Sequence, residues 1–361
     1  MKKVLVLIND HVGLYKFRRE LLQEFINRGY KVYISLPDDV FVKYLKEMGC
    51  HFIQTAVDRR GINPKTDLKL MLHYYKMIKS KSPDLVITYT IKPNIYGGLI
   101  CRWLKTAYAV NITGLGTAFQ NNGMLKKFVI GLYKVATKKA KAIFFENTDN
   151  AQEFLKDGIV KRDRMHILPG AGVNLEDYPF MEYPQNNNTR FLFIGRVMRE
   201  KGVDELFEAA ERIRKEFPET VFDIVGQMED DYRDIIKDLA DQKIIEYHGF
   251  QEDVKPFIRQ CNCFILPSWH EGMANANLEC AASGRPLITS NIHGCKEAVI
   301  ENKSGFLCES KNADSLYTAI KKFMQLSETE RKDMGTVSRR HMENVFDRKI
   351  VIEKTIEVLE K

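Results

Sequence analysis

The chain has 361 residues with a formal net charge of +7, and 44% of them are apolar and 29% charged. That length exceeds one ordinary core and fits two domains, and the composition is that of a water-soluble globular protein, which excludes a disordered chain or a small disulfide scaffold. No run of 18 apolar residues occurs, so no helical membrane span is expected.

The first residues, MKKVLVLINDH, begin like a secretion signal, but the apolar run Val4 to Ile8 stops at Asn9 and Asp10. It is too short for the hydrophobic region of a signal and reads as a buried first strand. NDHVGLYKFRRELLQEF (9–25) follows as a loop and helix, in which Gly13 lets the backbone approach a phosphate group. Arg18 and Arg19 either reach a phosphate of a second ligand or form the exposed first turn of that helix. KVYISL, DLVITY, AVNIT and AIFFEN are further short apolar runs between amphipathic segments. The strand-end loops TYTIKPNIYGG (88–98) and NITGLGTAF (111–119) offer Lys92, Asn111 and Thr113. The polar stretch EYPQNNNTR (182–190) reads as an interdomain linker. FLFIG, VFDIVG, IIEYHG, CFILP and PLITS then repeat the alternation. Continuous apolar strands between helices imply parallel sheets covered on both faces. The expected architecture is α/β, with two doubly wound Rossmann-like domains facing a central cleft. They span 1–181 and 182–344, with a C-terminal helix at about 345–361 packing back on the first. Ligands bind such sheets where the strands' carboxyl ends open into a crevice.

The charge is unevenly divided. Residues 1–190 carry a net +13 and residues 191–361 a net −6, which together give the +7 of the chain. Between Leu85 and Phe145 there is no acidic residue, against nine lysines and arginines. Within this run, MLKKFVIGLYKVATKKAKA (124–142) places Leu125, Phe128, Val129, Leu132, Tyr133, Val135 and Ala136 at near-helical spacing opposite lysines. Such a helix either lies on an anionic membrane or packs on a core with a solvated lysine face; the long absence of acids favours the membrane, because solvated faces mix both signs. No nucleic-acid module is present, and the cations lack interleaved aromatic platforms, so nucleic acid is not expected as a partner. Seven cysteines without zinc-finger spacing, including Cys261 and Cys263, read as buried reduced thiols of a cytosolic protein.

Two segments of the second half carry chemistry. FLFIGRVMREKGVDELFEAAERI (191–213) reads as a strand, a turn at Gly195 and a helix from about Gly202, with Arg196 and Lys201 flanking the turn. An arginine fork and a lysine at a strand's carboxyl end suit a pyrophosphate, although either alone is more often a solvated loop cation. HEGMANANLE (270–279) sets Glu271 and Glu279 eight positions apart, around small residues and a helix expected to start near Asn275. The N–H groups of that helix, with the backbone of Gly272, Met273, Ala274 and Asn275, form a site for a diphosphate. Glu279 then lies about two turns beyond Glu271, so that the pair addresses opposite ends of one elongated ligand. An E-x7-E spacing alone is weak.

The GR-x4-KG at 195–202, the SWHEG loop, the E-x7-E, and SGRPLI (283–288) leading to His293-Gly294 occur in one order. Together they resemble, from end to end, the family 4 retaining glycosyltransferases of GT-B fold that build bacterial capsule, O-antigen and lipid-linked glycans. The resemblance implies transfer of a hexose or N-acetylhexosamine from a nucleoside diphosphate donor, most simply a UDP-sugar, to a lipid-linked saccharide. It implies that Glu271 contacts the donor sugar, that Glu279 binds the ribose hydroxyls, and that HGFQEDV (248–254), with Gly249, holds the base. Arg196 and Lys201 are assigned to the leaving diphosphate. No Asp-x-Asp signature occurs; Asp38-Asp39 and Glu229 to Asp231 read as solvated turns, and neither metal nor cofactor is expected, the nucleotide sugar being a substrate. Many family members carry a cleft histidine where this chain has Asn111, Ile112 and Thr113, which leaves the first domain's catalytic partner open. The expected location is cytoplasmic, peripheral on the inner face of the membrane. Two other readings compete: a UDP-sugar 2-epimerase of the same fold, which has no need of the E-x7-E, and a non-catalytic nucleotide-sugar-binding subunit, which has no need of Glu271 with Lys201.

Overall fold

The computed structural model describes residues 1–38, 40–56, 63–115, 123–185 and 188–361. The turn at Asp38-Asp39, the loop 111–119 and the stretch 182–190 therefore lie partly outside the described residues. The chain divides into two compact units, Met1–Ala171 with Ile350–Lys361, and Gly172–Lys349. The division falls ahead of the polar stretch, not at it. The Val173 amide donates to the Phe346 carbonyl at 2.7 Å and the Met181 amide to that of Ser283 at 3.2 Å, so this segment packs within the second unit.

In the first unit, strands β1 (Lys3–Leu7), β2 (Lys31–Leu36), β3 (His51–Gln54), β4 (Leu85–Tyr89), β5 (Tyr108–Ile112), β6 (Ala142–Phe145) and β7 (Met165–Ile167) form one parallel sheet in the order β3-β2-β1-β4-β5-β6-β7. Successive side chains of a strand point to opposite faces, and here both faces are covered. Val4 and Val6 of β1 pack with helices α1 (His11–Asn27) and α2 (Val40–Glu47) and with Val351, Ile356 and Leu359. Leu5 and Leu7 pack with α3 (Pro64–Lys81), α4 (Gly98–Leu104), α5 (Met124–Thr137) and α6 (Thr148–Lys156) on the other face. Helix α1 starts immediately after the loop because Asp10 caps it, accepting from the Gly13 amide at 3.0 Å. Gly13 is thus a first-turn helical residue rather than part of an open loop.

Helix α5 differs from its expected form. It ends at Thr137, and only Val129, Tyr133, Ala136 and Thr137 are buried. Met124, Leu125, Phe128 and Val135 are exposed, and the outer surface of the helix also carries Lys127, Lys134 and Lys138. Lys126 instead turns to Glu153 at 2.8 Å. The apolar residues still form one stripe opposite Lys127, Lys134 and Lys138, but only part of that stripe is buried, and Leu125, Phe128 and Val135 are left on the outer surface.

In the second unit, β8 (Arg190–Ile194), β9 (Val221–Val225), β10 (Ile245–Gly249), β11 (Cys263–Leu266), β12 (Leu287–Ser290) and β13 (Gly305–Cys308) form a parallel sheet in the order β10-β9-β8-β11-β12-β13. Helices α7 (Val203–Glu216), α8 (Arg233–Asp241), α9 (Lys255–Gln260), α10 (Asn275–Ala282), α11 (Ala313–Met324) and α12 (Glu328–His341) follow the strands. The last helix, α13, runs over Arg348–Glu360. The strand order reverses between β8 and β11, which is where an open parallel sheet opens a crevice at its carboxyl end. All seven cysteines are free and buried, with no disulfide between them.

Candidate active site

The loops that leave β8 and β11 meet at this switch point. Beyond β8, a short helical turn at Arg199–Lys201 leads to Gly202, whose φ of +73° is the left-handed conformation that glycine adopts without cost. A Cβ on Gly202 would come 2.1 Å from the Pro267 carbonyl oxygen, so the glycine also lets the β8 loop close against the end of β11. This contact brings Lys201 to Glu271, and the two form an ion pair, both side chains largely buried. The Ser268 hydroxyl donates to the same Glu271 oxygen at 2.8 Å. Glu271 lies in the loop before α10 and not on the helix, so only Glu279 is a helical residue of the pair.

Helix α10 begins at Asn275, as its small residues predict, and Ala274 gives it no side-chain cap. An uncapped first turn keeps its N–H groups and positive dipole end for a ligand. Met273 and Ala274 are buried, and the Ala274 amide donates to the Gly294 carbonyl at 2.8 Å. Gly294 has φ +90°, and a Cβ there would sit 2.6 Å from the Gly272 carbonyl oxygen. The turn after β12 is thereby layered directly on Glu271 and Gly272. Glu297 holds this turn, with Oε1 2.5 Å from His293 Nδ1 and Oε2 accepting from the Gly294 amide at 2.8 Å.

Arg196 is turned to a partner of its own. It follows Gly195, and one of its guanidinium nitrogens donates to both carboxylate oxygens of Glu229 at 3.0 and 2.9 Å, with the side chain half exposed. Glu229, Asp230 and Asp231 are exposed, as expected of a solvated turn, although the first two also have partners. Asp230 accepts from the Arg199 amide at 2.8 Å, and the segment bridges Val197 to Met228. Gly249 closes β10 with φ +64°, and its carbonyl accepts from the Gly226 amide at 2.8 Å. Glu279 hydrogen-bonds Tyr178, whose hydroxyl is pushed well above its ordinary range by burial and then by the Glu279 charge.

The first-unit candidates are tied to internal partners. Arg18 pairs with Glu146 at 2.6 Å, both largely buried, and lies over the Tyr89 ring, so it is not on an exposed first turn. Lys92 pairs with Asp67 at 2.7 Å, and Asp67 also accepts from Tyr96 at 2.8 Å. Asn111 is buried, accepting from Asn94 at 2.8 Å through its carbonyl. Thr113 is half-buried at the end of β5.

Among the described residues, Asp223, Glu246 and His248 are grouped closely enough to hold a metal ion. Arg190 already fills that group, bonding Asp223 at 2.9 and 2.6 Å and Glu246 at 2.7 Å, so a cation there would oppose the guanidinium. Ser268 and Trp269 lie in the quoted SWHEG loop, yet their spacing alone gave no sign of their roles. Tyr178 and Glu297 carried no signal.

A family model described as Glycosyl transferases group 1 matches residues 177–341, and one described as Glycosyl transferase 4-like matches residues 3–147. A Campylobacter jejuni protein, named N,N'-diacetylbacillosaminyl-diphospho-undecaprenol alpha-1,3-N-acetylgalactosaminyltransferase, is 27% identical over 331 residues, covering 86% of this chain and 87% of that one. An Escherichia coli protein, named UDP-Gal:alpha-D-GlcNAc-diphosphoundecaprenol alpha-1,3-galactosyltransferase, is 28% identical over 280 residues, covering 72% and 71%. The crystal structure of a glycosyltransferase from Rickettsia africae matches with a TM-score of 0.83 at 20% identity, covering 99% of this chain and 97% of that one, a likeness of fold.

Proposed function

The chain belongs to the GT-B glycosyltransferases, with the features of family 4, and from that premise we propose that it transfers a hexose or N-acetylhexosamine, with retention, from a UDP-sugar to a lipid-linked saccharide. The observation that carries this reading is the Lys201–Glu271 pair, set at the switch point of the second sheet and followed by the uncapped start of α10. Breaking a sugar–phosphate bond builds negative charge on the leaving diphosphate, so cations and N–H donors fixed there favour the transition state. Lys201 and the first turn of α10 are the groups for that task. Glu271, held by Lys201 and Ser268, contacts the sugar. Glu279, backed by the Tyr178 hydroxyl, takes the ribose diol, since a carboxylate accepts two hydrogen bonds from vicinal hydroxyls. In this reading protein cations do the work of a metal.

The acceptor class rests on the two relatives, both named for diphospho-undecaprenol acceptors, and the UDP donor on the second of them. No helix among the described residues is long and apolar enough to cross a membrane. We place the enzyme on the cytoplasmic membrane surface through the outer side of α5, where Leu125, Phe128 and Val135 accompany Lys127, Lys134 and Lys138. Incubation with UDP-sugars and an undecaprenyl-diphosphate-linked sugar tests the reading: acceptor-dependent release of UDP supports it. Turnover of a UDP-sugar to its 2-epimer, without transfer, would refute it.

A further inference from the structure

We propose that Trp269 is the positioning residue that holds Lys201 against Glu271, an inference that rests on the role given to that pair above. Lys201 and Glu271 come from different loops, and a contact between two loop tips needs something behind it. Trp269 stands two residues before Glu271 and bonds to residues on either side of Lys201. Its backbone amide donates to the Glu200 carbonyl at 3.0 Å. Its indole N–H donates to Glu205, in the first turn of α7, at 3.0 Å. The Arg199 guanidinium lies over its ring at 5.5 Å, and the Lys311 ammonium, from the turn between β13 and α11, at 4.6 Å. Aromatic faces attract cations, and a buried indole needs an acceptor, so both properties of tryptophan are engaged at once. The side chain thus fastens the SWHEG loop to the β8 loop immediately behind the ion pair. Its ring reaches Arg199, Glu205 and Lys311, and the placing of Lys201 against Glu271 depends on it rather than on either loop alone.

The experiment compares Trp269→Ala and Trp269→Phe in the full chain. Phenylalanine keeps the ring for the two cations and loses only the bond to Glu205. A misplacement near 1 Å at a reacting centre costs on the order of 10²-fold in rate. Trp269→Ala should therefore lower kcat for sugar transfer by about 10–100-fold and Trp269→Phe by less. In a Lys201→Ala background the same Trp269→Ala change should have almost no further effect, since coupled residues are non-additive. An equal loss in both backgrounds, or wild-type kcat in Trp269→Ala, overturns the proposal. A second readout does not need activity: amide exchange in Trp269→Ala should accelerate over 198–206 and 268–275. Unchanged exchange there overturns the positioning role even if the protein proves inert towards every UDP-sugar, an inertness that counts against the proposed function instead.

Discussion

Lys201 and Glu271 are 70 positions apart in the chain and form an ion pair, each side chain less than a fifth exposed. The relationship divides the acidic residues of the E-x7-E by task, since Glu279 lies on α10 beside Tyr178. Lys201→Ala should lower kcat/KM by about 10²–10³, the cost of one preorganised donor to a leaving group. Glu271→Gln should slow transfer and leave UDP affinity near wild type, whereas Glu279→Ala should weaken UDP binding first. Steady-state kinetics with calorimetric UDP titration separates the two; the same loss of UDP affinity in both variants would contradict the division.

Arg196 and Glu229 give a second prediction. An exposed pair of this kind is worth about 0.2–1 kcal/mol, so a diphosphate can take Arg196 from Glu229 at little cost. Glu229→Gln should therefore leave donor KM unchanged or lower it, while Arg196→Ala should raise it. A Glu229→Gln variant as impaired as Arg196→Ala would mean that the pair acts as a fixed unit.

Thr90 follows β4 with φ +68°, a left-handed conformation for a β-branched residue, and the segment read as a loop over 88–98 is instead helical from Ile91 onward. That conformation costs an L-residue about 1–2 kcal/mol. Glycine removes the penalty and adds about 0.5–1 kcal/mol of flexibility cost, so Thr90→Gly should stabilise the protein by about 0.5–1 kcal/mol. Urea unfolding measures this. A destabilised Thr90→Gly would show that the hydroxyl's 2.5 Å bond to the Tyr89 carbonyl outweighs the strain.

The outer surface of α5 predicts reversible membrane binding. Charge reversal at Lys127, Lys134 and Lys138 should sharply reduce sedimentation with anionic liposomes and make the residual binding insensitive to salt, each nearby cation contributing about 1 kcal/mol. Phe128→Ser should weaken binding without altering its salt dependence. Lys126, paired with Glu153, should matter less. Wild-type protein that ignores anionic liposomes at low salt would remove the membrane from the account.

Much of this was legible in the sequence. The longer apolar strands, the helix opening at about Gly202 and the start of α10 at Asn275 were, because burial on both faces and small residues before a helix leave plain local patterns. Strands β3 and β7 were not: HFIQ and MHI are short edge strands with partly exposed residues, so no apolar run marks them. Strand β13, GFLC, is equally short. Partners distant in sequence were invisible for the same reason that they matter. Nothing near Arg18 announces Glu146, nothing near Arg196 announces Glu229, and Trp269 gains its role from Arg199, Glu205 and Lys311 only once the loops meet.

Retaining transfer of a sugar to a lipid-linked acceptor at the Lys201–Glu271 site is checked by NMR of the anomeric proton at an early time point, with the UDP-sugar that the enzyme turns over and an undecaprenyl-diphosphate-linked sugar. A new glycosidic linkage with the donor's own α configuration is expected, formed by wild type and reduced by about 10²–10³ in Lys201→Ala. A β-linked product, or an α-linked product formed equally well without Lys201, would exclude retaining transfer at this site.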